Sequence, residues 1–238
     1  MKVAIHQPQY FPWPPYVHKV MSADIFVYLD TVQFSKNGLQ NRNQIKTAQG
    51  PLWLTVPVKH QLGRSIYETE IADHRAPDKH WKTLVASYGR SAGFERWGNE
   101  LQALLTTKPG SLADIAIASA EWMLGKLKVQ AKRMRASDIS GAHGHASELV
   151  ASICQALGAT EYLTGTGALA YLDRKDFAAI GCGVLVQEWE PIRYEQAHRA
   201  VGFVPDLSTL DLLLNCPDSA AEMIAAAGRW RPLQTDND

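Results

Sequence analysis

The chain has 238 residues, 46% hydrophobic and 20% charged, enough apolar material for a substantial core in one large domain or a domain carrying an insertion. Its 24 Lys and Arg balance 24 Asp and Glu, and a net charge of zero argues against nucleic acid or an anionic membrane surface as partner. No stretch approaches the ~18 consecutive apolar residues of a membrane helix. The N-terminal apolar run is too short for a signal peptide, and the three widely spaced cysteines, Cys154, Cys182 and Cys216, suggest neither a disulfide framework nor a zinc site, so a reducing cytoplasm is the expected setting.

In chain order, Val3 to Ile5 reads as a short buried strand, and the prolines through Pro15 interrupt regular structure. Pro14 and Pro15 suit the first turn of a helix carrying Tyr16, Val17, Val20 and Met21. Ile25 to Leu29 is a second strand, a polar stretch follows from Gln33 to Gly50, and residues 52–58 form a third strand in which Pro57 marks an end or an edge. The middle is helical. Pro77 opens one helix with Trp81, Leu84, Val85 and Tyr88 on a stripe, and Ser111 with Asp114 caps another that runs to about Leu127.

The last third alternates: a strand over 133–139, a helix from Ser147 stopped by Gly158, a strand at Glu161–Thr164, a helix capped by Asp173, and a strand over 183–188. The basic stretch from Lys126 to Arg135 fits a helix end followed by an edge strand. This β-α-β-α-β order predicts an α/β, Rossmann-like, mostly parallel sheet flanked by helices. Residues 1–232 are expected to form a single α/β domain with a helical insertion at about 77–128, and 233–238 a frayed tail.

In open parallel sheets ligands bind outside the carboxyl ends of the strands. Polar clusters fall at three such ends: His6-Gln7-Pro8-Gln9-Tyr10, Asp30-Thr31-Val32-Gln33 and Thr164-Gly165-Thr166-Gly167. His6 is a candidate acid or base near neutral pH. Asp30 suits a hydroxyl, an ammonium or a metal, or caps a turn. Gln7, Gln9 and Gln33 offer amides, and Tyr10 an aromatic face. Asn41 and Arg42 lie in the polar stretch, where Arg42 is a candidate bidentate clamp for carboxylate or phosphate. The Thr164–Gly167 turn permits close backbone approach to an anion, without being a Walker or dinucleotide motif.

Three motifs are set aside. Ser91 in Gly89-Arg-Ser-Ala-Gly93 follows a helix, not the strand a nucleophile elbow needs. His143 and His145 lack an acidic or thiol partner at local spacing. Ser208 and Asp211 fit a capping box.

Together, Val3-Ala-Ile-His-Gln-Pro-Gln-Tyr-Phe-Pro12, Asp30-Thr-Val-Gln-Phe-Ser-Lys36, Asn41-Arg42-Asn43, Trp53-Leu-Thr-Val-Pro57, Tyr162-Leu-Thr-Gly165, Tyr171-Leu-Asp173, Tyr194-Glu-Gln196 and the stretch from Phe203 to Asp211 resemble the WbqC-like family of bacterial proteins. The resemblance adds Tyr171 to the candidate ligand contacts. It implies a place in O-antigen or other surface-polysaccharide (lipopolysaccharide) synthesis, and a glycine-type transferase role. Pro15 stands where the family pattern has glycine. A looser similarity links the strand, Pro-rich turn and helix to nucleotidylyltransferases with a His-x-Gly-His motif, but Trp13 and Tyr16 occupy those histidine positions.

The leading expectation is an enzyme passing an acyl or aminoacyl group to a sugar or nucleotide-sugar, with His6 as base for the acceptor amine or hydroxyl and Asp30 orienting His6 or the acceptor. Gln7, Gln9, Tyr10, Gln33, Asn41, Arg42, Thr164, Gly165, Gly167 and Tyr171 would bind substrate. The alternatives are nucleotidyl transfer and non-catalytic binding of a sugar or a partner. Neither a cofactor nor a metal is indicated.

Overall fold

The computed structural model describes residues 1–107 and 109–233, so the predicted frayed tail lies, apart from Leu233, outside the described residues. Lys2–His6 (β1), Ile25–Tyr28 (β2), Lys132–Arg135 (β5), Glu161–Thr164 (β6), Gly183–Trp189 (β7) and Gly228–Pro232 (β8) make one sheet, while Arg42–Thr47 (β3) and Gly50–Thr55 (β4) form a separate antiparallel hairpin. The helices are Pro14–Ser22 (α1), Ala76–Tyr88 (α2), Ala92–Thr106 (α3), Leu112–Lys126 (α4), Ala146–Leu157 (α5), Arg174–Ala179 (α6), Thr209–Asn215 (α7) and Ala220–Ala227 (α8). No helix among the described residues is long and apolar enough to cross a membrane.

The sheet order is β5-β2-β1-β6-β7-β8, parallel throughout except for β8, which runs antiparallel to β7. This is the expected α/β architecture. Strand alternation divides β1: Val3 and Ile5 join a core with Val150 and Ile153 of α5 and Phe177 of α6. Ala4 points the other way, into the larger core shared by α1, the helical middle, α7 and α8.

Several expectations are corrected. The polar stretch after Gln33 contains β3, whose Ile45 is fully buried in the core that also holds Leu54 of β4. The third strand ends at Thr55, before Pro57. The strand at 133–139 stops at Arg135 and becomes a turn of 3₁₀ helix. β5 is an edge strand, as the basic stretch suggests, and Arg133 and Arg135 pair with Glu121 and Asp114 of α4 at 2.8 and 2.7 Å. Ser111 and Asp173 cap their helices as expected, but Val85 is 43% exposed, off the buried stripe of α2.

A buried polar network ties the helical middle to the rest. Tyr88 and Tyr194 donate to the two carboxylate oxygens of Asp211 at 2.5 and 2.7 Å, and the Lys46 amide donates to the Tyr88 hydroxyl at 3.0 Å. Ser208 caps α7 through the Leu210 N–H, so Asp211 serves the tyrosines and not a capping box. Beside this network α3 and α7 touch backbone to backbone. A Cβ on Gly93 would sit 2.4 Å from the Leu213 carbonyl oxygen and 2.7 Å from Leu214 Cα.

Helical propensity alone favours alanine at position 93, by about 1 kcal/mol. The contact reverses that sign. Gly93→Ala is expected to destabilise the fold by about 2 kcal/mol or more, read as a lower urea midpoint at unchanged m-value; a neutral or stabilising result would show that α3 and α7 separate freely.

Candidate functional site

β1 pairs with β2 on one side and with β6 on the other, so the chain changes winding direction between β1 and β6. Neighbouring connections leave in opposite directions at such a point and open a crevice at the carboxyl ends of the strands. A cavity of about 590 Å³ lies there, walled by the ends of β1, β6 and β7, by Pro15 and Lys19 of α1, and by Arg231 of β8.

His6 ends β1 with part of its edge open to the cavity. Its Nδ1 is 2.9 Å from the Gln7 carbonyl oxygen. A carbonyl only accepts, so Nδ1 carries the proton and Nε2 is left as an acceptor. The ring packs edge-on against Tyr16 at 4.9 Å. Burial, with a further contribution from the positive charge of Lys19, lowers the pKa of His6 to about 3, so the imidazole is neutral at pH 7.

Lys19 is the residue that sequence reasoning missed. It is 5% exposed, and burial alone lowers its pKa to about 7. Its Nζ is 3.4 Å from where a Cβ on Gly165 would begin, which places the ammonium beside the turn. Arg231, the other cation of the wall, is paired with Glu188 at 3.0 Å. Gln187 Nε2 donates to the Pro15 carbonyl at 2.9 Å and to His18 Nδ1 at 2.8 Å, fixing α1 to β7. Trp13 and Trp189 supply flat apolar wall.

Of the residues expected at the site, His6, Gln7, Thr164, Gly165, Gly167 and Tyr171 line this cavity. Gln7 Oε1 also accepts from Gln40 Nε2 at 2.6 Å. The others lie elsewhere. Both Asp30 carboxylate oxygens accept from Ser137, at 3.0 Å from its N–H and 2.9 Å from its hydroxyl, so Asp30 anchors the turn after β5 and does not orient His6. Arg42 donates to the Asn37 carbonyl and lies over the Trp53 ring at 4.4 Å, which gives the clamp a packing role in the hairpin.

Tyr10 is fully buried on His80, Asn41 donates to the Val56 carbonyl, Gln9 is buried, and exposed Gln33 bridges to Ser65. Among the described residues no three His, Cys, Asp or Glu side chains gather as a metal site. A second depression of about 620 Å³, between Ser87–Ala92 and Glu195–Arg199, lies away from the strand ends.

A lysine whose folded pKa lies below its unfolded value destabilises the fold fully below the folded pKa, and that cost is relieved as pH rises toward the unfolded value. For Lys19 the window runs from about pH 7 to the ordinary lysine value of 10.5. Lys19→Met, of similar length and without the charge, is therefore expected to be more stable than the wild type at pH 6 by on the order of 3 kcal/mol. The advantage should shrink by more than half at pH 9.5. Urea titrations at the two pH values measure it, and a variant less stable at pH 6 would mean that Lys19 is not the uncompensated charge described.

The WbqC-like protein family model matches residues 7–223. An uncharacterized protein of Mycobacterium tuberculosis (strain ATCC 25618 / H37Rv), Rv1507c, is 32% identical over 227 residues, covering 94% of this chain and 97% of its own. No solved structure matches the chain. A match over almost the whole length, spanning both the strand-end cavity and the helical middle, establishes that the chain belongs to the WbqC-like family.

Proposed function

We propose that the protein is a cytoplasmic group transferase that passes an acyl or aminoacyl group to an amino-sugar or nucleotide-linked amino-sugar in bacterial surface-polysaccharide synthesis. The observation that carries this reading is the composition of the cavity. Trp13, Pro15, Trp189 and Tyr171 give flat walls for a sugar ring, beside the hydrogen-bonding His6, Gln7 and Thr164. The sugar and polysaccharide context comes from the family resemblance. Cys154 and Cys182 are buried with the α5–α6 core, and no cysteine lines the cavity among the described residues. Direct attack of the acceptor on the donor's acyl carbon therefore fits better than a thioester intermediate on the protein.

The acidity of His6 selects among acceptors. A base with a pKa near 3 does not deprotonate a ground-state hydroxyl. An amine attacking an acyl carbon differs, because the nitrogen becomes positively charged and its proton acidic as the C–N bond forms. Nε2 relays that proton to the donor's leaving group as the bond from the acyl carbon to it breaks, so the leaving group departs protonated and the imidazole ends neutral. His6 thus acts late, on the tetrahedral intermediate, which suits an amine acceptor better than a hydroxyl.

The experiment offers the purified protein a uridine diphosphate-linked amino-sugar with acyl and glycyl thioesters, and follows the acceptor by mass spectrometry. The expected product is the N-acylated sugar, and His6→Ala should slow its formation by about 10²–10⁴-fold. Transfer by His6→Ala at the wild-type rate would remove the mechanism. Pyrophosphate release from a nucleoside triphosphate would favour nucleotidyl transfer instead. Binding without turnover, equally tight in His6→Gln, would favour a sugar-binding protein.

A further inference from the structure

Lys19 carries information that the proposed transfer does not use. It stands on the cavity side of α1, one turn after Pro15, with its ammonium against Gly165. It pairs with no carboxylate and donates to no group among the described residues. The ionisable groups around it do not compensate it. His6 on β1 is neutral, Tyr162 on β6 and Tyr171 beyond it are held protonated by burial, and Glu188 of β7 is engaged by Arg231 of β8. His18, its neighbour on α1, faces Gln187 and stacks on Trp230. A buried cation without a counter-charge is expensive unless it gives up its proton or receives an anion. Gly165 and Gly167 line the same wall, and a Cβ on Gly167 would meet nothing within 4 Å, so the space beside the ammonium is open.

We propose that Lys19 is the anchor for a phosphate group carried by the ligand of this cavity. A buried three-donor ammonium facing open cavity suits the several oxygens of a phosphate better than the two of a carboxylate. The inference rests on the cavity being the ligand site, and not on the transfer reaction. It has a thermodynamic consequence. At pH 8 an amine with a pKa near 7 is mostly neutral, whereas an ion-paired one is charged, so binding a phosphate monoester takes up about 0.9 proton per site. The monoester is already a dianion at that pH and supplies none of the change.

The probe is methyl phosphate, with acetate as the carboxylate arm. Binding is followed by the rise in thermal midpoint, and proton uptake by a pH indicator at pH 8 in weakly buffered solution. The wild type should bind methyl phosphate at least tenfold more tightly than acetate, with the stated uptake. Lys19→Met should bind it at least tenfold more weakly, and Lys19→Arg, permanently charged, should bind without uptake.

A measurement on the unaltered protein guards against misfolded variants. Pyridoxal phosphate with borohydride should label Lys19 in the digested peptide map, and methyl phosphate should protect it. Undiminished binding by Lys19→Met, equal affinity for acetate, binding by the wild type without uptake, or labelling that methyl phosphate leaves unchanged would each overturn the assignment. Phosphate binding through Lys19 in a protein that transfers no acyl group would retain this inference and lose the transferase reading. Sugar acylation unimpaired in Lys19→Met would do the reverse.

Discussion

β1 is paired on both edges, and its carboxyl end is where the two directions of winding part. The geometry of the site follows from that constraint. The segment leaving β1 must rise out of the sheet and return over it, and the prolines from Pro8 to Pro15 hold it out of any ladder until α1 begins. α1 then crosses back over the sheet on the side faced by Ala4, bringing Tyr16 against His6 and Phe26 and leaving Lys19 over the gap. β6 enters on the other side and delivers Thr164 and the glycine turn to the same gap. One strand, one helix and one turn make the cavity, and packing rather than loop flexibility fixes their relation.

Two buried lysines show how the fold separates structure from ligand binding. Lys46 is 1% exposed, but its ammonium donates to the Gly202 carbonyl at 2.6 Å and its amide enters the Tyr88–Asp211–Tyr194 network. Its ammonium has a protein partner, and the network joins α2, β3 and α7. Lys19 is as deeply placed and has no such partner. A fold that gives one buried ammonium a carbonyl partner leaves the other with only the cavity to answer it. Positions of this kind persist where function compensates for the lost stability.

The strands and helices of the parallel sheet were legible because their apolar runs are bounded by strong stops and caps, as at Gly158, Asp173 and Ser111. β3 was not, because Arg42, Asn43, Gln44 and Lys46 hide a strand whose apolar anchor is Ile45 and whose polar side chains are satisfied by tertiary partners. β8 was hidden by similar chemistry, since Arg229 and Arg231 flank Trp230 in a short C-terminal segment. At the site, the strand-end rule brings His6 and the Thr164–Gly167 turn to one cavity, because both follow directly from strand placement. It does not bring Asp30 there: β2 lies on the far side of β1 from β6, and the side chain turns to Ser137. Lys19 was invisible for a different reason. A lysine between apolar positions of an amphipathic helix looks like a solvated residue, and only the covering strands of a tertiary structure show that no solvent face is there.

Pro15 bears on which chemistry this member can perform. An anion at a helix N-terminus is held by the free N–H groups of the first turn. In α1 the first two positions are prolines and have no N–H, and the amides of Tyr16 and Val17 both donate to the Trp13 carbonyl, at 3.1 and 3.4 Å. The helix end therefore presents nothing to a phosphate. Nucleotidyl transfer arranged around a His-x-Gly-His motif would need its histidines, and here Trp13 and Tyr16 stand in those positions. What α1 offers instead is the apolar ring of Pro15 and, one turn further on, the amine of Lys19. Recognition of a negative group moves from the dipole of the helix to a single side chain. That side chain can lose its charge when the cavity is empty, which a helix dipole cannot do.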